Sequence, residues 1–287
     1  MSPRLLVTLG SLLALQSTNV SKQVAALATQ RDPARLEAAA VSVAASGDAA
    51  AIGKLATQLG TASFLRRLDP PPRGKKPEVQ PENERLGHVF LALGEHPSAS
   101  TEQLCVAVAR NPAFTAAPGR LNLLLNALAA VRPTSKEAAA IFRETSHAGY
   151  FSVNGPLLAR NADPLALALL EELMADDQLD TQERIDVAHR SLLPVRTNAA
   201  VVAMAAHAAI SGAIAAPVRL AIAETLFDYQ PKPWFGVAMN QPTPPPWSVA
   251  DPATRKTLHA LGEQLLGRSE VPAQLRAAIQ ATLAQLK

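Results

Sequence analysis

Three times along this chain an Asp-Pro pair stands at the head of a stretch rich in alanine and leucine: Asp32-Pro33, Asp163-Pro164 and Asp251-Pro252. The pattern constrains the fold strongly. An Asp side chain accepts hydrogen bonds from the free amides at a helix start, and Pro fits the first helical turn, where no N–H is needed. Ser46-Gly47-Asp48 is a stop and restart between two such stretches, and Asp180-Thr181-Gln182-Glu183 is a cap with an acidic residue three positions on. A chain punctuated in this way is a succession of short helices. Connections this short force neighbouring helices to lie antiparallel.

Composition points the same way. Hydrophobic residues make up 48% of the 287, whereas aromatics make up 4%. The core is therefore leucine, alanine, valine and isoleucine, and small aliphatic side chains let helices approach closely. No window alternates with period two, so strands are not expected. The predicted fold class is all-α, built from stacked antiparallel helix pairs.

The expected helices are Leu5–Leu15, Val20–Thr29, Pro33 to about Ala45, a partner to about Leu59, Glu82–Leu93, Ser100–Arg110, Pro118–Ala130 and Ser135–Ser146. Pro164 to about Ala175, Thr181 to about Leu193, Val195–Ser211, Pro217–Phe227, Pro252–Leu266 and Val271–Leu286 follow. Asn154-Gly155-Pro156 reads as a break between helices. Two proline-rich loops interrupt the series. The chain then divides into N-terminal helices over 1–68, a basic loop over 69–81, a central helical block over 82–228, a Pro/Trp loop over 229–250 and a final helix pair over 251–287, forming one continuous stack.

Within this series, Pro217-Val218-Arg219-Leu220-Ala221-Ile222-Ala223-Glu224-Thr225-Leu226 resembles the second helix of a HEAT repeat, and Pro272-Ala273-Gln274-Leu275-Arg276-Ala277-Ala278-Ile279 is similar to it in looser form. The resemblance covers two helices and implies an α-solenoid. HEAT-like proteins are mostly scaffolds for protein partners, and a few related folds act on DNA bases or attach pigments. The resemblance supports stacked helix pairs and implies no activity; the expected role is protein-protein interaction or scaffolding, a binding module sooner than an enzyme, without cofactors. The alternative class is an enzyme, either a DNA-base-acting HEAT-like protein or one using diphosphate chemistry.

The diphosphate alternative has a specific source. Asp176-Asp177-Gln178-Leu179-Asp180 fits DDxxD, which resembles the Mg²⁺-binding signature of all-α prenyl-transferring and terpene-cyclising enzymes. Against it, Asp180 is already placed as a helix cap, and no second acidic motif accompanies it. Asp176, Asp177 and Asp180 read as a solvated acidic turn, and no metal site is expected. The phosphate-binding loop, the H-E-x-x-H zinc helix and the G-x-S-x-G elbow are absent. His88, His96, His147, His189, His207 and His259 are scattered, with no pair at i, i+4. The single cysteine, Cys105, lies in an apolar run and reads as a buried small hydrophobe.

Two segments are candidate partner sites. Arg66, Arg67, Arg73, Lys75 and Lys76 surround the first proline-rich loop, and both tryptophans lie in the second, as Trp234-Phe235 and Trp247. Residues 1–76 hold ten Lys/Arg against four Asp/Glu, while residues 77–287 hold seventeen against twenty. With a formal net charge of +3, this is too mild for a dedicated nucleic-acid binder, and a protein partner is the expectation. Leu5–Leu15 after Arg4 is too short to span a bilayer. It reads as the first helix of a cytoplasmic protein, with a signal-peptide core of an exported protein as the alternative.

If the acidic turn is only a solvated turn, isothermal titration with Mg²⁺ shows no tight stoichiometric binding. Tight binding abolished by Asp176→Ala or Asp177→Ala restores the diphosphate alternative.

Overall fold

The computed structural model describes residues 33–61, 89–90, 92–116, 118–229 and 247–286. Every regular element among them is helical. The expected helices Leu5–Leu15 and Val20–Thr29 lie outside the described residues, as do Arg66, Arg67, Arg73, Lys75, Lys76, Trp234 and Phe235. The chain divides into two compact units, one ending at Arg132 and one starting at Pro133.

In the first unit, α1 (Pro33–Ser46) and α2 (Ala49–Leu59) are joined by Gly47 and Asp48. Gly47 has φ +65°, a left-handed turn that a glycine makes without strain. Asp48 accepts from the amides of Ala50 at 2.9 Å and Ala51 at 3.1 Å, so the stop and restart form as expected. Helix α3 (Ala99–Ala109) packs on both, and α5 (Pro118–Ala130) packs on α3 after the single turn α4 (Pro112–Thr115). Phe90 and Phe114, both buried, meet edge to face with centroids 5.5 Å apart. Cys105 is fully buried, and burial, with Glu102 nearby, pushes its thiol up to about 12.

The second unit contains α6 (Lys136–Thr145), α7 (Phe151–Asn161), α8 (Pro164–Ala175), α9 (Thr181–Leu192), α10 (Ala199–Ile210), α11 (Ala216–Leu226), α12 (Pro252–Leu266) and α13 (Ala273–Gln285). Helices alternate between two layers. In one, α8 packs on α6, α10 on α8 and α12 on α10. In the other, α9 packs on α7 and α11 on α9. The expected caps Asp163, Asp180 and Asp251 each accept from amides in the first turn of the helix that follows.

One device recurs in every helix pair of this unit. The last carbonyls of a helix have no partner within it. Here the fourth residue of the second helix reaches back to them. Asn154 of α7 donates to the Phe142 carbonyl of α6 at 3.0 Å. Arg184 of α9 donates to Met174 of α8 at 3.4 Å. Arg219 of α11 donates to Ser211 at 3.3 Å and Ile214 at 2.9 Å, just past α10. Arg276 of α13 donates to Leu266 at 2.6 Å, to Val271 at 3.0 Å and to Arg268. The interval from Arg184 to Arg219 recurs from Arg219 to Arg276 once Tyr229–Ala250 is left out.

Two expectations are corrected. Asn154-Gly155-Pro156 is not a break but the middle of α7. Pro156 removes one helical hydrogen bond, yet packing holds the helix together. Asn154 is fully buried with its amide nitrogen also 2.8 Å from Thr145 Oγ1 and 2.9 Å from Ser146 Oγ. Gly155 lets α9 approach so closely that an added Cβ would stand 2.3 Å from Val187 Cγ1. The bend between α6 and α7 falls earlier, in a π-helical turn, Ser146–Tyr150, where Gly149 takes φ +90°. The expected helix Val195–Ser211 is also divided. A 3-10 turn, Leu193–Val195, ends the preceding helix, and Asn198 starts α10 by accepting from Ala200 at 3.0 Å and Val201 at 3.2 Å. That side chain competes with the backbone for the role of helical acceptor.

Arg276→Met keeps the side-chain stem but removes every donor. It should cost about 1–3 kcal/mol, the penalty for part-buried carbonyls left without partners. Urea unfolding at neutral pH measures it, with exposed Arg190→Met as a control expected to stay within about 0.5 kcal/mol of the parent.

Candidate functional site

The layer α6-α8-α10-α12 carries two open hollows. Alanines set its relief. Helix α10 turns Ala199, Ala203 and His207 outward and buries Val201, Val202 and Ala205 on its other side. A hollow of about 340 Å³ lies between α10 and α12. Ala206, Ile210 and Leu261 supply its apolar lining, while His207, Lys256 and Gln264 are the polar residues around it. A second hollow of about 490 Å³ lies on the other side of α12, bounded by Pro252, Arg255, His259, Glu263 and Leu286. Lys256 and Ala260 border both, so the outer edge of α12 is a ridge between two hollows.

Two contacts on this layer join titratable side chains of neighbouring helices. Arg143 of α6 grips Glu172 of α8 through two bonds, of 2.7 and 2.8 Å. The Arg143 hydrogen bond outweighs burial and holds the Glu172 carboxyl below its usual range. Glu171 of α8 meets Nδ1 of His207 on α10 at 2.5 Å. On α12, His259 faces Glu263 of its own helix at 3.5 Å. Arg255 and Lys256 have no carboxylate partner among the described residues.

The opposite layer holds a buried polar cluster. His189 of α9 is 4% exposed, and its Nδ1 lies 2.8 Å from Thr225 Oγ1 of α11. Thr225 in turn donates to the Ala221 carbonyl at 2.9 Å. Its oxygen therefore accepts from Nδ1–H, which leaves the Nε2 lone pair facing Glu224 Oε2 at 3.5 Å. This pair is not ionised as a salt bridge. Burial pushes the His189 imidazole down to about 4, against the upward pull of Asp186, and burial pushes the Glu224 carboxyl up to about 7.

The residues singled out in the sequence take separate places. Asp180 caps α9, accepting from Glu183 at 2.9 Å. Asp176 accepts from the Gln178 amide at 2.9 Å and stands 3.1 Å from His147 Nε2, while Asp177 is exposed. Among the described residues no three His, Cys, Asp or Glu side chains converge on a common point that could hold a metal. Trp247 is 4% exposed, and the buried Arg196 guanidinium lies 4.7 Å over its ring. Arg196 also pairs with Asp228, so the turn after α9 and the approach to α12 are fastened at one point. No helix among the described residues is long and apolar enough to cross a membrane.

Sequence reasoning passed over His189, Glu224 and the hollows beside α12. One signal was available: His189 falls on the same stripe of α9 as Val187, Ala188 and Leu192, which marks it as an inward residue. Its partner on α11 carried no comparable mark.

The cluster has a pH signature with two opposing parts. His189 is depressed from 6.5 to about 4, so its contribution is present above 6.5 and lost as pH falls toward 4. Glu224 is raised from 4.5 to about 7, so its contribution is present below 4.5 and lost as pH rises toward 7. Between 4.5 and 6.5 the two slopes cancel. Urea melts across this window should show Glu224→Gln gaining stability with rising pH and His189→Gln losing it. Parallel curves for the two variants would refute the assignment.

No protein-family model matches the chain, and neither does any curated protein or solved structure.

Proposed function

We propose that this chain is a protein-protein interaction or scaffolding module built on HEAT-like helical repeats, an α-solenoid whose open layer receives a protein partner. The observation that carries the reading is the outer edge of α12. A ridge of Lys256 and Ala260 stands between two hollows, with apolar side chains in the walls and polar ones around them. Such relief suits the side chains of a partner segment better than a small-molecule reaction, because the hollows are open and their polar groups are spread along a helix. The recurrence of Arg184, Arg219 and Arg276 supports the repeat reading, since in three helix pairs an arginine at the fourth position of the second helix donates to backbone carbonyls at the end of the first helix or in the turn after it. Repeats of this kind create extended surfaces rather than enclosed sites.

The test is a photo-reactive benzoylphenylalanine at Ala260, with exposed Ala277 of α13 as the control position. Irradiation in an extract of the source cells should give discrete protein adducts at Ala260 and none at Ala277. Equal labelling at both positions, or none at either, rejects the reading.

A further inference from the structure

Unpaired cations beside the hollows of the open layer identify the chemistry of what it receives. From α6 to α10, Arg143 pairs with Glu172 on the next helix and His207 lies against Glu171 on the preceding one, while Lys136 has no carboxylate partner among the described residues but borders neither hollow. Helix α12 brings unpaired cations and hollows together. Arg255 and Lys256 stand side by side on its first turns with no carboxylate among the described residues. They also border the hollows: Lys256 borders both, and Arg255 borders the one that reaches Leu286, whose wall also holds His259 and Glu263. Apolar walls and unmatched cations within one helical turn of each other demand two properties of one ligand. It must offer aliphatic side chains and negative charge at helical spacing.

We infer that the α12 ridge is the docking site of an acidic amphipathic segment of a partner protein. Aliphatic side chains of that segment enter the hollows on either side of Ala260, against Ile210 and Leu261 on one side and Leu286 on the other. Its flanking carboxylates meet Arg255 and Lys256. Ala260 at the crest lets the segment's backbone come close, because a larger residue there would hold it off. A nucleic acid would use the same cations, but the aromatic rings in the walls are the imidazoles of His207 and His259 alone, and aliphatic Ile210, Leu261 and Leu286 suit a peptide's apolar side chains better than bases. The inference rests on the interaction-module reading above and assigns its partner chemistry.

Fluorescence anisotropy on the full chain tests it, with two labelled synthetic peptides sharing one amphipathic leucine pattern. One carries glutamates at the flanking positions, the other lysines. The glutamate peptide should bind saturably and weaken with salt. The double substitution Arg255→Glu with Lys256→Glu should weaken it about tenfold or more and permit binding of the lysine peptide, which also shows that the variant is folded. Ala260→Trp should abolish both. The proposal is overturned if the glutamate peptide fails to bind, if charge reversal changes nothing, or if a single-stranded oligonucleotide binds in preference. The photo-adduct at Ala260 separates this failure from failure of the broader reading. An adduct to a basic or neutral segment, or to a second copy of this chain, overturns the acidic partner and leaves an interaction module standing. No adduct together with no peptide binding overturns both.

Discussion

The second unit depends on how its helices end. A helix finishes with carbonyls that no residue of that helix can satisfy, and with the negative end of its dipole. Short turns make the difficulty worse, because the chain reverses before water or a long loop can cover those groups. Here the following helix solves it from within. Its fourth residue lies one turn in, high enough to reach back across the turn. Arg184, Arg219 and Arg276 bring several donors and a positive charge to that point, and Asn154 brings an uncharged amide. The same bond fixes the distance between the two helices of a pair. Once the pairs share that geometry, α8, α10 and α12 pack in succession in one layer and α9 and α11 follow α7 in the other.

The two layers then divide the polar work. Between α9 and α11, burial favours the neutral forms of His189 and Glu224, and His189 stands between Thr225 on one ring nitrogen and Glu224 on the other. A neutral pair avoids the desolvation that two buried charges would cost. It also specifies which face of α9 meets α11, since any rotation would strand a polar atom. In the other layer the contacts are made by Val201, Val202, Ala205 and their neighbours, and alanine predominates on the outside of α10. Small residues allow close helix packing but leave the surface low. Ala206 and Ala260 line the hollow between α10 and α12, so small residues also shape that surface.

Much of the element order was legible because it is written in local chemistry. Asp163, Asp180 and Asp251 mark helix starts through bonds that span only three residues. What was not legible depends on distant contacts. Asn154-Gly155-Pro156 has the composition of a break, yet it lies within α7, where Asn154 bonds back to the end of α6 and Gly155 packs closely against Val187 of α9. Val195–Ser211 has the composition of one helix, and Asn198 divides it. The arginine device was half visible. Arg219 and Arg276 carried the resemblance to a repeat, but Tyr229–Ala250 stands between them and conceals the interval that Arg184 and Arg219 set. The hollows could not be read at all, since they join residues of α10, α12 and the end of α13.

The position of that interruption bears on why α12 differs from the helices before it. Helices α8 and α10 each follow their predecessor pair through short turns, and their outward charges meet partners on the neighbouring helix. Helix α12 enters differently. Its approach is pinned by Trp247, buried beneath Arg196, so its first turns are placed by that anchor and not by a short turn from α11. Glu270, which follows α12, is already committed to Arg219 and Arg268, and Glu263 to His259. Glu270 is therefore engaged, while the cations of the first turns of α12 are not. Asp251 does not change this, because its two oxygens are turned onto the amides of Ala253 and Thr254 and the Thr254 hydroxyl. The anchor that admits a long insertion also leaves one stretch of the layer electrostatically open, and that stretch borders the hollows.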